Sequence, residues 1–322
     1  MLANLAFNSF SIAKFLKKSV ILDNIVNNNN LCRSTDGINI FLYLCNVLIN
    51  EKTEMNEQIV YKIVNIAISE FHKHNLENEN FHLAFEILCN YSLQYISISL
   101  DILNLIDLKF FSSLFEISNE SLQKKCLILL GASKLSQEII TSNDVFFYQI
   151  NKSLIKLLST LTDNDLIFLI LCFFCDFLTR CTNKDAFYLM DEKLYDLIIL
   201  KSLIDTSTEN SKSSLLIITS LFQLCCKNSE YLMKFILNGL IENVATLLDN
   251  SDKDFQYCGL IILYDLIPCL NHNLDQKKSV IKKIEIQGIP SILEVKEFTH
   301  MSVEFSDLYT KVKDLIEENL SK

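Results

Sequence analysis

A short apolar pattern returns at nearly constant intervals along this 322-residue chain. Each copy spans six residues and holds one position that is usually polar. Successive copies are 44, 42, 44, 47 and 42 residues apart. The copies are "YLCNVL" (43–48), "ILCNYS" (87–92), "LLGASK" (129–134), "FFCDFL" (173–178), "SLFQLC" (220–225) and "ILYDLI" (262–267). This self-similarity predicts an array of units, each of which buries its apolar side against the next.

Two positions of the pattern form columns of different character. The second position, which we call the core column, is apolar in every copy and is predicted to be buried: Leu44, Leu88, Leu130, Phe174, Leu221 and Leu263. The fourth position, which we call the polar column, is mostly polar: Asn46, Asn90, Ala132, Asp176, Gln223 and Asp265.

Composition favours helices throughout. Five glycines and two prolines in the whole chain leave little material for hairpin turns or glycine-rich loops. Half of the residues are hydrophobic and 21% are charged, so the chain has enough apolar surface to form a core. A period of 42 to 47 residues is typical of helical repeat proteins.

The segment "GLIENVATLLDNSDKDFQYCGLIILYDL" (239–266) resembles an armadillo repeat of the importin-alpha and beta-catenin type. Its glycine lies between a short first helix and the second helix, a double leucine and an acidic cap follow, and a third helix ends in Tyr264-Asp265-Leu266. "LKFFSSLFEISNESLQKKCLILLGASKL" (108–135) and "IEIQGIPSILEV" (284–295) are similar in part.

The resemblance and the period together predict an all-α, right-handed α-solenoid of about seven armadillo/HEAT-like repeats. We expect the repeats to form a single domain over residues 1–322. Their predicted bounds are 10–54, 55–97, 98–140, 141–183, 184–228, 229–272 and 273–320.

The resemblance also implies a binding site. In that family the third helices line a concave groove, and an asparagine on each helix grips the backbone of an extended ligand. Carried over by position, the polar column and its neighbours one helical turn further on are the expected partner-binding residues: Asn46, Asn50, Asn90, Gln94, Asp176, Arg180, Gln223, Lys227 and Asp265. Because a carboxylate can only accept hydrogen bonds, Asp176 and Asp265 favour a cationic or amine-bearing ligand. Alternatively, these polar residues only solvate an exposed side of each helix.

The chain departs from importin-alpha in one respect that concerns the ligand. That family carries a tryptophan four residues before the asparagine, where it sandwiches the lysine stems of a nuclear localisation signal. This chain has no tryptophan. The corresponding positions hold Leu42, Glu86, Ile128, Cys172, Thr219 and Ile261.

Charge, hydropathy and cysteine usage exclude several function classes. A net charge of −10 argues against nucleic acid as a partner and suits a basic or neutral peptide. The longest apolar run has ten residues, 166–175, which is too short to span a membrane. Most of the eleven cysteines lie within helical patterns, so we expect free thiols in a reducing compartment, the cytoplasm or the nucleus. The first 22 residues fit either a mitochondrial presequence or an ordinary helix.

No catalytic or cofactor motif is evident. Cys172 and Cys175 have the spacing of a metal or redox pair, but they lie in "LILCFFCDFL", where two buried core thiols are the expected interpretation. No glycine-rich phosphate loop, nucleophile elbow or HExxH motif is present. We therefore expect no metal, no cofactor and no enzymatic activity.

The sequence thus predicts a non-enzymatic scaffold that binds an extended peptide or an elongated partner. A divergent importin-alpha-like transport adaptor is one alternative, and a nucleotide exchange factor for a 70 kDa heat-shock protein is another. The basic cluster at Lys277, Lys278, Lys282 and Lys283 is interpreted as a solvated helix face or, alternatively, as a second docking patch.

Overall fold

The computed structural model describes residues 24–25, 35–50, 57–95, 102, 105–117, 119–132, 144–202, 208–272, 274–295 and 302–321. Within these ranges the chain forms α-helices and short 3-10 turns and contains no strand. The all-α prediction is confirmed. The proposed N-terminal presequence lies outside the described residues.

The structure divides into two compact units, residues 1–157 and 158–322, where the sequence predicted a single domain. The helices of unit 1 are α1 (Thr35–Asn50), α2 (Glu57–Phe71), α3 (Glu79–Gln94), α4 (Leu108–Ser113), α5 (Glu120–Ala132) and α6 (Asp144–Thr160), whose last residues belong to unit 2. Here α1 packs on α3, and α3 packs on α5. These three are the helices that carry the repeated pattern.

Unit 2 shows the repeat most completely, with three helices in each of its last three repeats. Its helices are α7 (Asn164–Leu178), α8 (Asn183–Asp191), α9 (Leu194–Ser202), α10 (Thr208–Cys225), α11 (Ser229–Leu237), α12 (Leu240–Asp249), α13 (Lys253–Cys269), α14 (Leu274–Ile286), α15 (Ile289–Val295) and α16 (Val303–Leu320). The third helices form a continuous layer, because α7 packs on α10, α10 on α13 and α13 on α16.

The core column is buried in both units, as predicted. None of its six side chains is more than 4% exposed, and four of them are fully buried. Burial removes about 25 cal/mol of unfavourable hydration per Å² of apolar surface, so this column contributes to the free energy that holds neighbouring repeats together.

In the last three repeats, the turn between the first and second helices contains a residue in the left-handed backbone conformation. Gly239 precedes α12 with φ 85°, and Gly288 precedes α15 with φ 69°. Glycine adopts this conformation without a Cβ clash, which explains the glycine opening seen in the sequence. Lys193 makes the same turn before α9 with φ 65°, so the geometry is kept even where the glycine is absent.

Side-chain caps set the starts of the third helices in unit 2. Asp163 accepts a hydrogen bond from the backbone N–H of Leu166 at 2.9 Å, and Asp252 accepts one from Asp254 at 2.9 Å. Each cap satisfies a donor that the helix leaves open. The end of α13 differs from the sequence prediction, because the helix continues past Leu266 to Cys269 and contains Pro268 in its last turn.

No single described helix is long and apolar enough to cross a membrane, although the bent pair Ser229–Leu237 and Leu240–Asp249, which meet at 63°, together match the length and composition of a span.

Truncating the core column should destabilise the protein strongly. We expect Leu263→Ala to lower the free energy of unfolding by about 2–5 kcal/mol, because it leaves a cavity at a fully buried position. Leu237→Ala is a matched control, since Leu237 is 75% exposed. Urea denaturation followed by circular dichroism measures both variants, and equal effects would contradict the assignment of the column to the core.

Candidate ligand-binding face

The third helices of unit 2 present one aligned face. Residues separated by 4, 7 and 11 positions lie on the same side of a helix. On each helix we take the polar-column residue and the residues 4, 7 and 11 positions before it, and we call this set the unit 2 face. They are Asp165, Leu169, Cys172 and Asp176 on α7; Lys212, Leu216, Thr219 and Gln223 on α10; and Asp254, Cys258, Ile261 and Asp265 on α13.

Two polar bridges connect α10 to α13 across this face. The Gln223 side-chain amide donates to Asp265 Oδ2 at 3.1 Å. Near the other end of α10, Lys212 Nζ lies 2.8 Å from Asp254 Oδ2 and 3.3 Å from Asp252 Oδ2. The hydrogen bond to Asp254 is the main reason that the pKa of Lys212 lies above its ordinary value. These polar groups therefore bond to each other.

The surface between the two bridges is apolar. Leu216 is 55% exposed there, and Ile261 is half-buried. Thr219 contributes little polarity, because its hydroxyl is buried and donates to the carbonyl oxygen of Leu215 at 2.9 Å. Lys212 and Gln223 are eleven residues apart and therefore about 16 Å apart along the helix at the helical rise. The unit 2 face is thus an apolar strip with a polar bridge at each end.

A groove of about 690 Å³ adjoins the Gln223–Asp265 bridge. The ends of α10 and α13 form one side and α16 forms the other, and exposed Tyr264 lies at its edge. Pro268 in its lining has no N–H, so the carbonyl of Tyr264 lacks the helical donor that would normally come four residues later.

The groove carries both signs of charge. Lys227 and Lys311 line it, together with Asp265 and Asp314. Neither lysine forms an ion pair with any residue that the structure describes. The prediction of a cationic ligand was based on Asp176 and Asp265 alone. It did not include Lys311, because that residue lies outside the repeated pattern.

The corresponding residues of unit 1 are polar and bond to each other. The Asn90 amide donates to Asn46 Oδ1 at 3.0 Å, and the Asn46 amide donates to Glu86 Oε1 at 2.8 Å. The second oxygen of Glu86 lies 3.7 Å from Lys125 Nζ on α5. Because each partner is on a neighbouring third helix, this network links three repeats, and its Glu86 carboxylate occupies a position that is uncharged in unit 2.

The remaining predicted site residues have separate environments. Gln94 donates to the carbonyl oxygen of Ile49 at 2.7 Å, which satisfies a group near the end of α1. The side chain of Asn50 lies outside the described residues. Asp176 on α7 is half-buried, and Arg180, which follows the end of α7, is exposed. The structure thus brings Asn46 and Asn90 together in unit 1 and Gln223 and Asp265 together in unit 2.

The cysteine pair on α7 is half-buried, where the sequence predicted two buried core thiols. The Cys175 thiol donates to the carbonyl oxygen of Ser213 at 3.2 Å, and burial raises its pKa to about 12. Burial also raises the pKa of Cys172. A protonated thiol is a poor nucleophile and a poor metal ligand. Ten cysteines in the described part of the chain are free thiols, Cys32 lies outside it, and no described group of three or more His, Cys, Asp or Glu residues could hold a metal ion.

Sequence reasoning missed Leu216 and Lys311. Leu216 lies seven residues before Gln223, so helical periodicity places it on the same face, but an exposed leucine is hard to distinguish from a core residue within an apolar run. Lys311 belongs to the atypical last repeat, where the polar column was not extended. The exposure of Leu216 and the place of Lys311 in the groove follow only from the packing of neighbouring helices.

Solved structures share this fold. An engineered protein has a TM-score of 0.68 at 17% identity, covering 98% of this chain and 73% of that protein. A computationally designed armadillo repeat protein for modular peptide recognition has a TM-score of 0.62 at 16% identity, covering 77% of this chain and 98% of its own length. A designed armadillo repeat protein in complex with the peptide (KR)4 has a TM-score of 0.59 at 16% identity, covering 78% of this chain and 99% of that protein. The chain therefore has an armadillo-like repeat fold.

No protein-family model and no curated protein sequence matches the chain.

The two polar pairs should differ in their contribution to stability. We expect Asn46→Ala to lower the free energy of unfolding by about 1–2 kcal/mol, because it leaves part-buried partners on Glu86 and Asn90 without a hydrogen bond. Gln223→Ala should change it by less than about 0.5 kcal/mol, since that pair is exposed. Chemical denaturation of both variants measures the difference, and an equal or reversed order would show that the unit 1 network is not structural.

Proposed function

We propose that this chain is a non-enzymatic binding protein and that the unit 2 face takes an extended segment of a protein partner. The observation that carries the proposal is the apolar strip around Leu216, which is 55% exposed between two polar bridges. An exposed apolar surface with a polar border is the usual arrangement of a protein interface.

The dimensions of the layer suit such a segment. Packed helices lie about 8–10 Å apart, so four third helices, α7, α10, α13 and α16, cover roughly 30 Å from first to last. An extended chain rises about 3.3 Å per residue, so about nine residues would cross them. The armadillo-like fold supports this mode, because two of the similar structures are a protein designed for peptide recognition and a protein in complex with a peptide.

Unit 1 has a different role in this proposal. Its polar column is engaged in the Asn46, Asn90 and Glu86 network, so we infer that these residues hold repeats together. A ligand would have to replace those hydrogen bonds to bind there, and the exchange would gain little free energy.

The transport-adaptor and exchange-factor alternatives stay predictions. Affinity for a lysine-rich signal peptide would support the first. Faster nucleotide release from a 70 kDa heat-shock protein would support the second. In both assays Leu216 variants would show whether the unit 2 face is involved.

Comparing the proteins captured by the parent chain and by a Leu216 variant tests whether the unit 2 face binds a partner. We expect Leu216→Ser to weaken partner binding about tenfold, because roughly half of a leucine side chain remains to be buried by the ligand. Leu237→Ser is the matched control, since Leu237 is 75% exposed on α11 and lies off the face. Proteins captured by the parent and the control, but lost with Leu216→Ser, would be purified and their dissociation constants measured. Equal binding by all three proteins would contradict the proposal.

A further inference from the structure

Two cysteine thiols meet at the groove of unit 2. Cys226 directly follows α10, and Cys269 is the last residue of α13. These two helices pack on each other, and both cysteines line the groove beside the Gln223–Asp265 bridge. Both thiols are free, and they hydrogen-bond to each other. Their sulfur atoms are therefore in direct contact across the boundary between two repeats.

The two thiols differ in their access to solvent. Cys226 is buried, whereas Cys269 is half-buried. The Cys226 thiol also donates to the carbonyl oxygen of Gln223 at 3.7 Å. Burial, followed by the contact with Cys269, raises the pKa of Cys226 to about 12, so this thiol stays protonated at neutral pH. A small dissolved oxidant in the groove therefore meets Cys269 first.

The helix ends allow the small movement that a bond between the two sulfur atoms requires. A disulfide brings its sulfur atoms to about 2 Å from each other, closer than a hydrogen bond does. Pro268 lacks an N–H, so the last turn of α13 has one helical hydrogen bond fewer. Cys226 lies in the turn after α10. Because helix ends open more easily than helix centres, these turns can adjust while the core column stays packed.

From these observations we propose that Cys226 and Cys269 are a redox-active pair, which a peroxide converts into a reversible disulfide. The disulfide joins the end of α10 to the end of α13 beside the Gln223–Asp265 bridge. This inference is independent of the proposed function, because the reaction needs no protein partner.

The reaction consumes one peroxide for each disulfide. The Cys269 thiol loses its proton to water, and its sulfur attacks one oxygen of hydrogen peroxide. The O–O bond breaks, an S–O bond forms, and the departing hydroxide takes up the proton, which leaves a sulfenic acid on Cys269. The Cys226 sulfur then attacks the Cys269 sulfur, the S–O bond breaks, and the departing hydroxide leaves as water with the Cys226 proton. The two thiols lose two electrons in total, and the peroxide is reduced to two molecules of water.

Contact between the sulfur atoms makes the second step possible. A protonated thiol is a weak nucleophile, but a partner held against the reacting atom has a high effective concentration. Cys226 is therefore the thiol that resolves the sulfenic acid, and Cys269 is the thiol that peroxide oxidises.

Oxidation of the purified full chain with hydrogen peroxide tests the inference. After oxidation, the remaining thiols are blocked with N-ethylmaleimide in denaturant, and the chain is digested without a reductant. Tandem mass spectrometry, which distinguishes Cys226 from Cys225, should identify Cys226 linked to Cys269 as the main disulfide. The oxidised chain should carry two maleimide groups fewer than the reduced chain, and dithiothreitol should restore both.

Single variants separate the roles of the two thiols. In Cys226→Ser the sulfenic acid has no resolving partner, so its labelling by dimedone at Cys269 should rise about fivefold or more above the parent. Cys269→Ser should show no such rise at Cys226. The matched control is Cys172→Ser, because Cys172 is half-buried on α7 and does not line the groove. It should form the Cys226–Cys269 link within about twofold of the parent rate, since its thiol takes no part in either step.

Several results would overturn the inference. One is a maleimide count that peroxide leaves unchanged, and another is a main link between other cysteines, such as the neighbouring thiols Cys181 and Cys225. Circular dichroism of the oxidised parent should show the helix content of the reduced chain. A link that forms only in chains that have lost their helices would equally contradict the pair, because such a link would not depend on the contact at the groove.

Discussion

The burial of the core column constrains which side of each third helix can meet solvent. Two residues along a helix turn by about 200°, so a core-column residue that points inward places the polar column toward the opposite side. Leu263 is fully buried and Asp265 is half-buried on the same helix. The aspartate in an otherwise apolar helix is thus a consequence of the packing beneath it, and the same relation holds for Leu221 and Gln223.

The same helix positions serve different purposes in the two units. In unit 1, Glu86 stands where unit 2 has Thr219 and Ile261, and its carboxylate accepts the Asn46 amide and lies near Lys125. In unit 2 those positions are uncharged, so the polar groups are confined to the two ends of the face. Under the proposed function, the uncharged residues at these positions leave an apolar surface for a partner in unit 2, whereas Glu86 links neighbouring repeats through Asn46 and Lys125.

Much of this fold could be predicted from the sequence, because a repeated core column is a local, periodic signal. The six column residues and the glycine turns at Gly239 and Gly288 were visible in the sequence. The pairing of Gln223 with Asp265 was not, because it depends on the distance between two packed helices. Periodicity alone also treats Asn46 and Gln223 alike, although Asn46 belongs to a part-buried network with Glu86 and Asn90 and Gln223 bonds to Asp265 at an exposed site.

The central claim is that the third helices of unit 2, and not those of unit 1, contact the ligand. Hydrogen–deuterium exchange of the full chain, with and without a saturating concentration of a partner purified in the Leu216 capture test, measures this most directly, because contact slows the local opening that exposes amides. We expect slower exchange in α10 and α13, residues 208–225 and 253–269, and no change in α1 and α3. Slower exchange confined to residues 35–94, or to the basic helix α14, would contradict the account.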